Sequence, residues 1–121
     1  MIKSMKFVSV PVSDQDQALE FYTKKLGFRV VTDQPFNDKQ RWIELGIGNS
    51  ATGITLFTPD AHRDRIGSFT GISFVSDDVI ATWKELVAKG VEFVKPPVKE
   101  GWGTSSVFKD QDGNQFVLSS T

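Results

Sequence analysis

One carboxylate in this chain lies where it could do chemistry. Glu44 falls in the segment 41–47, in which apolar residues recur at every second position. This alternation predicts a β-strand with one buried face, and it places Glu44 on the opposite face. A carboxylate there could act as a general base or as a counter-charge to a cationic ligand. The alternative is a sheet glutamate that pairs with Arg41 or with solvent.

Aromatic and hydroxyl side chains share the predicted inner face with Glu44. Aromatic rings bind flat groups and cations on their faces, and hydroxyl groups orient the polar atoms of a ligand. No base accompanies the serines, so the pattern gives no support to a serine nucleophile. The residues predicted to contact a ligand are Phe7, Ser9, Trp42, Glu44, Thr55, Phe57, Ser73, Trp102 and Ser106.

Three aromatic positions need separate interpretation. Trp102 lies between two glycines, in a predicted loop at the entrance of a strand, from which it could reach over a cleft. Strand alternation also turns Phe108 inward, but ordinary core packing is the favoured interpretation for this residue. Trp83 belongs to a helical apolar stripe and is predicted to be core.

The histidine and cysteine content restricts the chemistry further. The chain has one histidine and no cysteine, which excludes disulfides, thiolate metal sites and cysteine nucleophiles. His62 lies in a charged loop, where a solvated histidine is the favoured interpretation and a lid residue is the alternative. A lone imidazole also argues against a metal site.

Composition and charge indicate the class of protein. The 121 residues, 39% hydrophobic and 24% charged, are typical of one soluble globular domain. No apolar run approaches the ~20 residues of a membrane span, and the N-terminus shows no signal-peptide pattern. We therefore predict a cytoplasmic protein without a membrane partner. A formal net charge of −1, without a basic run, argues against a nucleic-acid partner.

The elements that must position these side chains occur twice. In each copy an alternating strand leads to a helix-capping residue, Ser13 or Asp14 in the first copy and one of residues 76–78 in the second. A helix with an apolar stripe follows, and it stops at Gly27 in the first copy and at Gly90 in the second. Three further strands then complete each copy.

The predicted fold class is α+β. Two tandem βαβββ modules, 1–58 and 69–121, are joined by a linker and form a single domain. We expect them to build a curved mixed sheet with a concave cleft and with helices on its outer face. A ligand could bind in such a cleft.

Several motifs resemble those of one superfamily. They are Pro11-Val12-Ser13-Asp14, Phe21-Tyr22, Leu26-Gly27-Phe28, residues 78–93, Trp102-Gly103 and residues 108–114. The family they resemble is the vicinal oxygen chelate superfamily of glyoxalase I, extradiol dioxygenases, fosfomycin-inactivating enzymes and bleomycin-resistance proteins. The resemblance covers nearly the whole chain, and it is more specific for the fold than for any activity.

The resemblance also implies where a metal would be held. Carried onto this chain, the metal-ligand positions of the family are Phe7, Thr55, Gly71 and Val117. Three of these side chains cannot bind a divalent metal, and a lone threonine hydroxyl is a poor ligand. The resemblance therefore narrows to metal-free members that bind small molecules, as bleomycin-resistance proteins do, with neither metal nor cofactor.

The sequence thus predicts a metal-free protein that binds a hydrophobic or aromatic small molecule, for sequestration or resistance. The alternative is a lyase, isomerase or dioxygenase that uses a cryptic metal or Glu44 as its catalytic base. A third interpretation is a domain whose cleft serves only protein contacts. We expect a homodimer, because an open sheet leaves unpaired edges that a partner could cover.

Overall fold

The computed structural model describes residues 1–61 and 63–121, so His62 lies outside the described residues. Contacts divide the chain into two compact units, Met1–Ile66 and Gly67–Thr121. Each unit carries one four-stranded mixed sheet with a helix after its first strand. The prediction of two βαβββ modules in an α+β fold is confirmed. No helix in the described part of the chain is long and apolar enough to cross a membrane.

The first unit begins with a strand and a short helix. Its elements are β1 (Phe7–Pro11), α1 (Gln15–Glu20), β2 (Arg29–Pro35), β3 (Arg41–Gly46) and β4 (Gly53–Phe57). A π-helical turn, Phe21–Lys25, continues α1, and a 3-10 turn, Arg63–Arg65, follows β4. The strand order is β1-β4-β3-β2, with β1 and β4 parallel and the other pairs antiparallel.

Helix α1 is held to the sheet by a buried amide. Asp14 caps the helix by accepting a hydrogen bond from the Gln17 backbone N–H at 3.0 Å. Six residues are too few for a helix that is stable alone. Gln15, only 8% exposed, donates from Nε2 to the carbonyls of Arg41 at 2.8 Å and Leu56 at 2.9 Å. Its Oε1 accepts from the Arg41 N–H at 2.9 Å, so one side chain joins α1 to β3 and β4.

The core of the first unit lies on one face of its sheet. The buried apolar residues of this unit are Val10, Val12, Ala18, Phe21, Tyr22, Ile43, Leu45, Ile54 and Leu56. In β3 and β4 these residues pair with each other, Ile43 opposite Leu56 and Leu45 opposite Ile54. Because successive side chains of a strand point to opposite faces, the residues between them form a second face.

The second unit repeats this plan with a longer helix. Its elements are β5 (Phe69–Val75), α2 (Val79–Ala88), β6 (Phe93–Glu100), β7 (Gly103–Lys109) and β8 (Gln115–Ser119). The strand order is β5-β8-β7-β6, with β5 and β8 parallel. Asp78 caps α2 by accepting a hydrogen bond from the Ala81 N–H at 3.0 Å. The capping prediction is thereby resolved to Asp14 and Asp78.

Strand β6 is longer than the sequence indicates. It runs through Pro96 and Pro97 and continues to Glu100. Proline removes a ladder N–H, but β6 is an edge strand, and its outer side needs no partner. The pairing with β7 shifts register on both sides of Lys95, which accommodates the two prolines.

The predicted inward direction of Ser106 and Phe108 is wrong. In the β7–β8 pair, Ser106 lies opposite Leu118 and Phe108 opposite Phe116, and directly opposed residues share a face. All four are buried, Ser106 at 0% and Phe108 at 1% exposure. The Ser106 hydroxyl donates to the Leu118 carbonyl at 3.2 Å. Ser106 is therefore a satisfied core residue, and the core interpretation of Phe108 is confirmed.

We predict that Gln15→Ala lowers the free energy of unfolding by about 2–3 kcal/mol, because each buried backbone group left without a partner costs about 1–3 kcal/mol. Urea unfolding followed by circular dichroism measures the change. Gln17→Ala is the matched control, since the Gln17 side chain lies exposed on the same helix, and it should change stability by at most ~0.5 kcal/mol. Equal stability of the two variants would contradict the role of Gln15.

Candidate functional site

A cavity of about 260 Å³ opens on the second face of the first sheet. Its lining includes four residues predicted from strand alternation, and it adds residues of the β2–β3 connection. The lining residues are Ser9, Phe36, Gln40, Arg41, Trp42, Ile43, Thr55, Leu56 and Phe57. The first unit therefore brings Ser9, Trp42, Thr55 and Phe57 together, as the sequence predicted.

Strand register sets three polar side chains in one row across this face. Ser9 on β1 lies opposite Thr55 on β4, and Thr55 lies opposite Glu44 on β3. The Thr55 hydroxyl donates to the Ser9 hydroxyl at 2.9 Å. Thr55 is only 3% exposed, whereas Ser9 is exposed and Glu44 half-buried. We call Ser9, Thr55 and Glu44 the polar row. Thr55, in the centre of the row, is buried, whereas the side chains of Ser9 and Glu44 at its two ends are accessible.

Aromatic rings meet above the polar row. The Phe7 and Trp42 rings make an edge-to-face contact, with centroids 5.4 Å apart and planes 73° apart. Strand β4 lies between the strands that carry them, so this contact spans β4 on the face of Thr55. Phe36 adds a third ring, with its centroid 6.2 Å from that of Trp42. The site thus combines aromatic walls with a polar floor.

The two charged residues of β3, Arg41 and Glu44, point to opposite faces of the first sheet. The Arg41 guanidinium binds Asp16 at 2.7 Å and Asp33 at 2.9 Å. These two hydrogen bonds, that to Asp16 foremost, raise the pKa of Arg41 above its ordinary value. The alternative in which Glu44 pairs with Arg41 is wrong, because their positions on β3 point to opposite faces. Within residues 1–61 and 63–121, no group forms a hydrogen bond or ion pair with the Glu44 carboxylate.

Sequence reasoning missed Phe36 and Gln40. Both residues lie in the connection between β2 and β3, residues 36–40. Asn37 Oδ1 accepts hydrogen bonds from the backbone N–H groups of Lys39 and Gln40, while Gln40 Oε1 accepts from Thr58 N at 3.1 Å. A lone aromatic residue in an otherwise polar loop, Phe36, was the available signal.

The second unit holds the other predicted ligand contacts. Ser73 is exposed on β5, opposite Val117 on β8. Trp102 is 68% exposed in the turn between β6 and β7. Neither residue lines the cavity of the first unit. Their contribution to the same site stays a prediction.

The four positions at which the resemblance implies metal ligands do not fit a metal. The Phe7 ring packs against Trp42, and the Thr55 hydroxyl is bonded to Ser9. Gly71 has no side chain, and the Val117 side chain is aliphatic. The described part of the chain also contains no group of three or more histidine or carboxylate side chains that could hold a metal ion. No reaction step through a metal follows from this donor set.

The chain is similar to known proteins over nearly its whole length. A model of the Glyoxalase/Bleomycin resistance protein/Dioxygenase superfamily matches residues 4–118. The protein YetH of Bacillus subtilis (strain 168) is 33% identical over 118 residues, which are 98% of each chain.

Two solved structures share both fold and sequence with this chain. A member of the glyoxalase/bleomycin resistance protein/dioxygenase superfamily from Sphaerobacter thermophilus DSM 20745 has a TM-score of 0.90 and 34% identity, over 99% of this chain and 98% of its own. TnmS3, an antibiotic binding protein from Streptomyces sp. CB03234, has a TM-score of 0.88 and 31% identity, over 98% of this chain and 96% of its own.

Proposed function

The chain belongs to the Glyoxalase/Bleomycin resistance protein/Dioxygenase superfamily, and we propose that it binds a hydrophobic or aromatic small molecule without a metal. The observation that carries this proposal is the cavity of about 260 Å³ beside Trp42 and Phe57. Apolar surface attracts the body of a ligand, and a few polar groups fix its orientation.

The size of the cavity limits the bound group. An apolar cavity of about 150 Å³ holds benzene, so the 260 Å³ of this cavity offer room for two fused rings. This volume lies just below the ~300–1,000 Å³ of typical ligand sites. We therefore propose that the first unit binds the bicyclic part of a ligand. Ser73 and Trp102 are proposed as additional contacts from the second unit.

The similarity to TnmS3 supports a role in sequestration or resistance. That protein is an antibiotic binding protein, and the similarity spans 98% of this chain. By analogy, the bound compound would be held by this chain rather than converted. Phe7, Trp42 and Phe57 would contact the rings, while Ser9, Thr55 and Glu44 would orient the polar groups.

One observation favours a second candidate, an enzyme of the lyase, isomerase or dioxygenase type. Glu44 is a half-buried carboxylate next to the cavity. An unpaired carboxylate beside a bound substrate can serve as a general base. The remaining positions offer no metal ligands, so this candidate would depend on Glu44 alone.

We also propose that the protein is a cytoplasmic homodimer. The first sheet ends at the edge strands β1 and β2, and the second ends at β5 and β6. An exposed edge presents unpaired N–H and C=O groups, which a second copy could cover. Location and assembly are proposals that the binding function does not require.

Ligand contact at Trp42 is testable with fluorine NMR. Protein labelled with 5-fluorotryptophan gives one ¹⁹F signal for each of its three tryptophans, and Trp→Phe variants assign them. We expect titration with quinoline, a two-ring probe, to shift the Trp42 signal, because Trp42 lines the cavity. Trp83 on α2 is the internal control and should not shift.

The same titration examines the other aromatic residues. A shift of the Trp102 signal would support contact between Trp102 and the ligand. An unchanged Trp102 signal would contradict that contact. Phe57→Ala should weaken quinoline binding by about tenfold, because a buried aromatic contact contributes on the order of 1–2 kcal/mol. A Trp42 signal that stays unchanged at millimolar quinoline would contradict the proposed function.

Metal independence and assembly are testable by native mass spectrometry. After incubation with Zn²⁺, Ni²⁺, Mn²⁺ or Fe²⁺, we expect the mass of a dimer without bound metal, because the implied ligand positions offer no donor set. One metal ion per chain would contradict metal-free binding and favour the enzyme. A monomer at micromolar concentration would overturn the dimer and leave the binding proposal standing.

A further inference from the structure

The polar row presents a hydrogen-bond donor at one end. A hydroxyl group carries one proton, and Thr55 donates its own to the Ser9 oxygen. Ser9 therefore acts as an acceptor towards Thr55 and keeps its own proton for another acceptor. Its side chain is exposed and lines the cavity. The β1 end of the row thus offers a donor to a ligand.

The other end of the row presents an acceptor. An ionised carboxylate accepts hydrogen bonds and cannot donate them. Glu44 has no hydrogen-bonding or ionic partner in the described chain. The nearest arginine along the strand, Arg41, is bound to two aspartates on the opposite face. A half-buried carboxylate in this position favours a cation or an N–H donor as its partner.

The middle of the row offers no polar group to a ligand. Thr55 is 3% exposed, and its proton is engaged with Ser9. The Phe7–Trp42 ring contact spans the strand that carries Thr55. A ligand that lies along the row therefore meets aromatic surface between the two polar ends.

The spacing of the strands sets the distance between these ends. Ser9 and Glu44 lie on the two strands that flank β4. Neighbouring strands are about 4.7–4.9 Å apart, so the two backbones are about 9–10 Å apart. This separation matches the two ends of a substituted two-ring system rather than adjacent substituents of one ring.

We propose that Ser9 and Glu44 select the ligand by its two ends. The ligand class is a fused bicyclic aromatic body with a carbonyl or phenolic oxygen at one end and a cationic or N–H group at the other. Ser9 donates to the oxygen, and Glu44 accepts from the cationic end. This inference rests on the proposed function, because Ser9 lines the same cavity and Glu44 lies beside it, opposite the lining residue Thr55.

Matched probes test each end separately, with the Trp42 ¹⁹F signal as the readout. N-methylquinolinium and 1-methylnaphthalene have the same shape and differ in charge. 6-Acetylquinoline and 6-isopropylquinoline have a similar shape and differ in a carbonyl acceptor. We expect the protein to bind the first member of each pair more tightly, by about tenfold for the charged pair and about threefold to fivefold for the neutral pair.

Two substitutions should each remove one preference. Glu44→Gln should abolish the preference for N-methylquinolinium and keep that for 6-acetylquinoline. Ser9→Ala should do the reverse. Glu20→Gln is the matched control for charge, since it removes an exposed carboxylate at the end of α1. It should leave both preferences unchanged.

The outcomes separate this inference from the proposed function. Equal affinities within both pairs would overturn the selection by Ser9 and Glu44 while leaving aromatic binding in place. A uniform loss of affinity for all four probes in Glu44→Gln would also overturn it, because a structural role would then explain the effect. If none of the four probes shifts the Trp42 signal, the proposed function itself is overturned.

Discussion

The position of the aromatic site depends on the buried amide of Gln15. Its three hydrogen bonds fix the backbone of Arg41 and Leu56 against α1. Arg41 opens β3, and the next residue is Trp42, so the same bonds set the strand from which Trp42 projects into the cavity. A helix of six residues has little intrinsic stability. The hydrogen bonds of Gln15 are directional, so they fix how α1 and β3 are aligned. This alignment also positions the cavity face on the other side of the sheet.

The same alternation separates the charges of the site. Arg41 projects to the face of α1, where Asp16 and Asp33 bind it. Glu44, three residues later, projects to the cavity face, so the guanidinium cannot neutralise it. A surface ion pair contributes little to stability. The ion pairs of Arg41 nevertheless matter for the site, because they leave the Glu44 carboxylate without a cation beside the aromatic rings. The electrostatic character of the cavity face thus follows from where the arginine is engaged.

The sequence predicted the first module well and the second less well, for identifiable reasons. In β3 and β4, aliphatic residues recur at every second position, so the opposite face of Trp42, Thr55 and Phe57 followed directly. The segment Thr104-Ser105-Ser106 is polar at both parities and carries no such signal. Pairing across the turn to β8 places Phe108 opposite Phe116. The register of this hairpin, and not the alternation along β7, determines which face Phe108 occupies. Strand order, which puts β6 and its prolines at an edge, cannot be read from alternation.

The residues at the implied metal positions form interactions of their own. A metal site gathers polar ligands that are costly to bury unless the ion binds them. Here Phe7 packs its ring against Trp42, and the Thr55 hydroxyl donates a hydrogen bond to the Ser9 hydroxyl. Each of these two side chains thus contacts a neighbour on an adjacent or next-adjacent strand. Introducing one ligand would disturb these contacts without supplying the others. The cavity face therefore presents aromatic rings, hydroxyl groups and one carboxylate in place of a set of metal ligands.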